Sequence, residues 1–178
     1  MILVVAATED ELAGANDART LTCGIGPVEA AAATARALAE ERPDALLHVG
    51  IAGARGVTAL ELVIGSEAVY EDAADGGLVL ARSQPDARLV AAARRALPAA
   101  RVLPIGTSAR VGGTTGCEVE AMEGFAVLRA AELAGVPAVE VRAVSNEIDE
   151  PDRERWRFAA ALATLQAALP RLLAELER

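Results

Sequence analysis

The chain has 178 residues, 53% of them apolar but only 2% aromatic, and a formal charge of −9. This length is enough for one domain, residues 1–178, with a substantial core of Ala, Val, Leu and Ile, and the charge excludes a general nucleic-acid binder, which has to neutralise phosphates. All 17 basic residues are arginines and the only histidine is His48, which excludes lysine Schiff-base chemistry, a P-loop and a His-rich metal site.

In chain order, Met1–Ala6 reads as a buried strand rather than a signal peptide, because no basic residue precedes its apolar run. Thr20–Cys23 reads as a short neighbouring strand. Gly24-Ile25-Gly26 is a turn, with Pro27 at the first position of a helix that runs from Val28 to about Glu41. Ala45–Val49 is a buried strand leading into a second glycine segment, Gly50–Gly56. Strands are expected at Leu62–Tyr70, Leu78–Ala81, Val102–Arg110 and Ala138–Ser145, with an acidic loop at Glu71–Gly77. Helices are expected at Asp86–Leu97, capped by Asp86, at Met122–Leu133, and from Arg153 onward with an interruption at Pro170. Apolar runs alternating with amphipathic helices specify an α/β fold with a central mixed, mostly parallel β-sheet flanked by helices. No apolar run approaches the roughly eighteen residues of a membrane span, so no membrane partner is expected. Cys23 and Cys117 lack metal or redox spacing, which is consistent with a reduced, cytoplasmic protein without structural zinc.

Three polar residues stand out against the apolar background. Glu11 follows the first strand, Glu123 lies in Glu120-Ala-Met-Glu-Gly124, and Asn146 ends the strand Ala138–Ser145. Open α/β sheets bind ligands at the carboxyl ends of their strands. Two acids and an amide at that edge suit a nucleoside: a carboxylate for ribose hydroxyls, an amide for a base edge, and a carboxylate to activate water. Each residue also has a structural use. Glu11 suits a helix N-terminus, Asn146 a turn cap, Met122 the core and His48 the satisfaction of backbone groups. The glycines serve either tight turns or close approach of a sugar or anion to the backbone. Glu123 is harder to account for structurally, because an unpaired buried carboxylate is costly. The segment Gly24-Ile-Gly26 has Glu29 where a dinucleotide fingerprint needs its third glycine.

Five segments in order, Ala6–Glu11, Gly24–Gly26, Val49–Gly53, Glu120–Gly124 and Val141–Asn146, resemble the nucleoside phosphorylase/nucleosidase superfamily. Within it the chain is similar to the branch of methylthioadenosine/S-adenosylhomocysteine nucleosidases and futalosine hydrolases. The resemblance implies a nucleoside phosphorylase-like sheet, a homo-oligomer, a small-molecule purine nucleoside as ligand and no cofactor or metal. It casts Glu11 as the carboxylate orienting water, Met122 as lying under the ribose and Glu123 as the ligand of the ribose hydroxyls. Gly50, Ala52 and Trp156 are expected to contact substrate, with Trp156, Phe125 or a residue of a neighbouring subunit replacing an aromatic residue that Arg110–Thr115 lacks. Phosphorylases of the superfamily hold phosphate with arginines and a serine near the second glycine segment; His48 and Ile51 stand there instead, which favours water. Asn146 occupies the place of an aspartate in adenine-specific nucleosidases. An amide donor complements the two acceptors of a 6-oxopurine, which implies futalosine hydrolysis to hypoxanthine. A methylthioadenosine/S-adenosylhomocysteine nucleosidase and a non-catalytic nucleoside-binding protein of the same fold remain the alternatives. Asp149 or Asp152, or a water chain, is the candidate proton donor, and Arg55 and Arg155 are candidates to grip a substrate carboxylate.

Overall fold

A computed structural model describes residues 1–73, 77–114 and 116–178; the centre of the acidic stretch Glu71–Gly77, and Thr115 of Arg110–Thr115, lie outside them. Its strands are β1 (Ile2–Ala6), β2 (Arg19–Thr22), β3 (Ala45–Ala54), β4 (Leu62–Tyr70), β5 (Arg82–Ser83), β6 (Arg101–Thr107), β7 (Val119–Ala121) and β8 (Ala138–Glu147). The helices are α1 (Pro27–Glu40), α2 (Ala87–Ala96), α3 (Gly124–Ala134) and α4 (Phe158–Leu176), with 3-10 turns at Asp10–Leu12 and Arg153–Arg155.

All eight strands join one mixed sheet. The β1–β2, β1–β3, β3–β8, β4–β6 and β6–β7 pairings are parallel, whereas β3–β7, β4–β5 and β4–β8 are antiparallel. The pairings β3–β8–β4–β6–β7–β3 close a ring, so the centre of the sheet curls into a small barrel with β1 and β2 extending from one side. The period-2 alternation of a strand distributes the core over the two faces. In β1, Ile2, Val4 and Ala6 pack with Leu165, Leu169 and Leu172 of α4, while Leu3 and Val5 pack with Leu38 of α1 and Val127 and Ala131 of α3.

Four expectations are corrected. The second glycine segment does not follow a strand; β3 continues into it as far as Ala54, because β8 pairs with it along Gly50–Ala54 and β7 joins at Gly53 and Ala54. Met122 is not helical: β7 ends at Ala121, and α3 starts at Gly124. Pairing with β4 falls at Arg82 and Ser83 rather than Leu78–Ala81, where Leu78, Val79 and Leu80 are exposed. Finally, α4 runs unbroken through Pro170. That proline cannot donate to the carbonyl four residues back, Gln166. Gly14 packs its backbone against this carbonyl: a Cβ there would collide with Gln166 O and lie 2.8 Å from its Cα. The segment Arg153–Leu176 is long and apolar enough, by length and composition alone, to cross a membrane. Its apolar stripe from Ala161 to Leu173 nevertheless lies in the core.

Candidate active site

Because β1, β3 and β8 are parallel neighbours, their carboxyl ends open on one edge. A cavity of about 480 Å³ lies there. The turn after β1 brings Thr8 and Glu11 to its wall, β3 brings Ile51, Ala52 and Gly53, and β8 brings Ser145 and Asn146. Two successive residues of a strand ordinarily face opposite ways. The β3–β8 register slips between Ala52 and Gly53, leaving Ser145 as the extra residue on β8. Such a bulge re-aims side chains, and both Ser145 and Asn146 reach the cavity. The antiparallel course of β7 returns Met122 and Glu123 alongside the same part of β3, and both line the cavity.

The two carboxylates are held firmly. Glu11 Oε2 accepts from Thr8 N and Thr8 Oγ1, each at 2.9 Å, and Oε1 accepts from Ile51 N at 3.1 Å. Glu123 Oε1 accepts from Gly26 N at 3.0 Å, and its Oε2 lies 3.5 Å from Arg142 Nη2. Gly26 offers this N–H from a backbone with φ of 93°, which strongly favours glycine. Ionised carboxylates have about four lone-pair sites, so both groups keep acceptor capacity for a ligand.

Behind them lies a buried ionic network that the pattern reading did not identify. Arg142 Nε donates to Glu140 Oε1 at 2.7 Å, Nη2 to His48 Nε2, and Nη1 to Ile51 O at 3.4 Å. With Nε2 accepting, His48 donates from Nδ1 to Val5 O at 3.0 Å and is the neutral tautomer. Burial and the adjacent Arg142 charge drive the His48 pKa well below its usual value, against the opposing pull of the Val5 hydrogen bond. Burial raises the Glu140 carboxyl above its usual range while Arg142 draws it back. Burial also works to discharge Arg142, but Glu140, Glu123 and Glu11 outweigh it and hold the guanidinium above its ordinary value. Gly50 makes room for this arrangement. A Cβ there would collide with Arg142 Nη1 and lie 2.8 Å from Glu11 Oε1. Gly50 therefore sits behind the cavity wall rather than on it, unlike the expected contact residues Ala52, Met122 and Trp156, which line it.

Asn146 is fixed at both ends of its amide, Oδ1 accepting from Ser145 Oγ at 2.7 Å and Nδ2 donating to Glu147 O at 2.9 Å. One Nδ2–H is left over. Of the proposed aromatic covers, Phe125 stacks on Tyr70 instead, with ring centroids 5.2 Å apart. Asp149 and Asp152 do not line the cavity. Asp149 is held below its ordinary pKa by the hydrogen bond from Arg55, and Asp152 caps the Arg153–Arg155 turn. Arg55 spends both arms of its fork on Asp149, and Arg155 pairs with Glu150. Glu120, also on the wall, accepts from Gly112 N and Thr114 N, each at 2.6 Å, and ties down the loop that carries Val111.

The arrangement can hold a sugar between two anchored carboxylates and stabilise positive charge there. Four acids line the cavity (Asp10, Glu11, Glu120 and Glu123), and the basic Arg142 is committed behind it.

The chain is 36% identical over 186 aligned residues to a futalosine hydrolase of Streptomyces coelicolor, covering 88% of this chain and 79% of that one. Its fold matches a methylthioadenosine/S-adenosylhomocysteine nucleosidase of Colwellia psychrerythraea in complex with adenine (TM-score 0.85, 20% identity, 98% and 95% coverage). It likewise matches a futalosine hydrolase mutant of Helicobacter pylori (TM-score 0.87, 15% identity, 98% of both chains). Residues 11–178 fit the family model of the phosphorylase superfamily, and with the relative's identity over most of the chain this makes the protein a member of that superfamily.

Proposed function

We propose that the protein hydrolyses the N-glycosidic bond of futalosine and releases hypoxanthine, a step towards menaquinone. The observation that carries the choice of water over phosphate is the chemistry around Glu11. Where a phosphorylase needs several cations and a free hydroxyl, this chain offers the Ile51 side chain, a carboxylate and a Thr8 hydroxyl already committed to that carboxylate. The nearby guanidinium of Arg142 is already shared among Glu140, His48 and Glu123. A phosphate would face four acidic residues in the cavity wall against the single arginine Arg153. Water is uncharged and finds an acceptor in Glu11.

In this reading Glu11 takes a proton from water as its oxygen bonds to the anomeric carbon. The C–N bond breaks, its electron pair leaves with the purine, and the purine takes up a proton from solvent water as Glu11 gives its own back to solvent. Glu123 binds the ribose hydroxyls and opposes the developing oxocarbenium charge, by analogy with glycoside hydrolysis. Asn146 meets the 6-oxopurine edge with its remaining N–H. Met122 and Ala52 pack against the sugar. We place the enzyme in the cytoplasm, supported by two buried free cysteines. A homo-oligomer is supported by Ile25 and Val28, 62% and 77% exposed beside the cavity, whose apolar surface a second copy would cover.

Product analysis with futalosine tests the reading. Hypoxanthine and a free sugar are expected, at a rate that added phosphate does not change. A sugar 1-phosphate product overturns the hydrolase assignment, and faster release from methylthioadenosine overturns the choice of base.

A further inference from the structure

We propose that Arg153 selects the 5′ side of the substrate by pairing with a carboxylate at the end of an apolar 5′ arm. The inference rests on the cavity being a purine nucleoside site and names what that site recognises beyond the sugar.

Among the described residues, Arg153 is the only cationic side chain on the cavity wall, opposite four acids. Arg55, Arg155 and Arg142 are already engaged, Arg55 with Asp149, Arg155 with Glu150, and Arg142 with Glu140 and Glu123, and Arg157 does not line the cavity. Among the described residues Arg153 forms no such ion pair. Its guanidinium instead lies over the Trp156 ring, 5.5 Å from the centroid. Trp156 is itself anchored, donating from Nε1 to Glu150 O at 3.0 Å and packing at 5.2 Å against Phe158. A cation–π contact of this kind consumes none of the guanidinium N–H donors, whose planar fork matches a carboxylate.

The charge of Arg153 is unsuited to the reacting carbon. A cation there would oppose the positive charge that Glu11 and Glu123 serve, so Arg153 acts away from the scissile bond. The side chains that accompany it on the wall are apolar: Trp156, Phe158 and Leu162 from the same stretch of chain, with Ile25 and Val111. A 5′-phosphate, doubly charged and close to the sugar, would need several donors among these residues. A single fork at the edge of apolar walls instead suits one carboxylate held away from the sugar by an apolar spacer. Trp156 thereby serves the 5′ arm and the platform for Arg153 rather than covering the base.

The test measures binding by calorimetry, which does not depend on turnover. Two 6-oxopurine C-nucleosides, which carry no C–N glycosidic bond to cleave, with the same 5′ aryl arm, one ending in a benzoate and one in the benzamide, are titrated into wild type, Arg153→Gln and Arg153→Lys, with inosine 5′-monophosphate as a third ligand. The readout is the ratio of the two Kd values, from which any general effect on folding or on the cavity cancels. Wild type is expected to favour the benzoate by about tenfold, the scale of one charge-assisted pair at a partly wet site. Arg153→Gln should lose that preference and Arg153→Lys regain part of it. A benzoate preference that survives in Arg153→Gln overturns the proposal, as does a wild type without preference, or an Arg153-dependent tightening seen only with inosine 5′-monophosphate. Binding that behaves as expected without any release of hypoxanthine from futalosine upholds this proposal and removes the hydrolase reading.

Discussion

At Asn146 the amide has little freedom: Ser145 Oγ addresses its oxygen and Glu147 O takes one of its N–H groups. In Asn146→Asp an oxygen would face Glu147 O, where only a protonated carboxyl can donate. A protonated acid that donates and accepts matches the acceptor and amino donor of adenine rather than the two acceptors of a 6-oxopurine. The ratio of kcat/KM on 6-oxo and 6-amino nucleosides should therefore shift towards the amino compound by about tenfold to a hundredfold, the cost of one mispaired buried edge. An unchanged ratio removes Asn146 from base recognition. His48 gives a pH prediction. Its folded pKa is depressed by burial and by Arg142, so below about pH 6.5 the unfolded chain binds a proton that the native state refuses, and stability falls as pH falls. Glu140, with its raised pKa, acts in the opposite sense, favouring the native state at lower pH. Comparison with His48→Gln isolates the imidazole. The unfolding free energy of wild type relative to the variant should drop by up to about 1.4 kcal/mol per pH unit below about pH 6.5. Equal slopes in urea titrations at several pH values would defeat this. Glu11, Glu123 and Asn146 were legible as polar residues interrupting apolar segments, and the structure gathers all three at one cavity. Glu140 and Arg142 were not, although two opposite charges at i and i+2 on one face of an apolar strand carry the signal of a buried pair. Arg153 could not be singled out, since a run of charges in sequence does not say which member finds no partner.

Among the elements, those with a plain periodic pattern were read closely, such as α2 with its Asp86 cap, where Oδ1 accepts from Arg88 N and Leu89 N. The errors arose where tertiary contacts override local preference. Glycines in a sequence suggest a turn, yet Gly50 and Gly53 lie within β3, where neighbouring side chains need the space of a missing Cβ. Pro170 suggests a break, yet the lost helical hydrogen bond falls where Gly14 meets Gln166 O. A second contact joins the same pair of elements, as Gln166 Nε2 donates to Asp10 O at 3.0 Å. Gly14→Ala forces a Cβ into helix backbone, which cannot yield as a flexible side chain would. Overpacking of this kind costs about 1–3 kcal/mol, readable as a lower urea midpoint. Because Asp10 and Glu11 share the turn that α4 supports, activity should fall along with stability; a variant as stable as wild type would show that the contact is loose.

For the whole molecule, the ring of pairings ties together segments that are far apart in the chain. β3 begins at Ala45 and its neighbour β8 at Ala138, and the register between them spans Leu46↔Ala138 to Ala54↔Glu147. On its other side β3 is paired with β1 at Ala45–His48 and with β7 at Gly53 and Ala54, and β8 is paired with β4 at Val141–Ala143. Opening either strand therefore disturbs most of the sheet at once. In native-state hydrogen–deuterium exchange, the amides of Leu47, Val49, Val139 and Val141 should open only with global unfolding and share one free energy and one denaturant dependence. The amides of β5, held on one side by β4 alone, should exchange through smaller openings. If β8 amides exchanged early and independently of β3, the ring would not be a cooperative unit. The cavity-lining ends of β3 and β8 belong to this ring, so the sheet-borne wall of the cavity is held in shape without a ligand, and the parts of the wall left freer to move are the loops and the segment carrying Arg153.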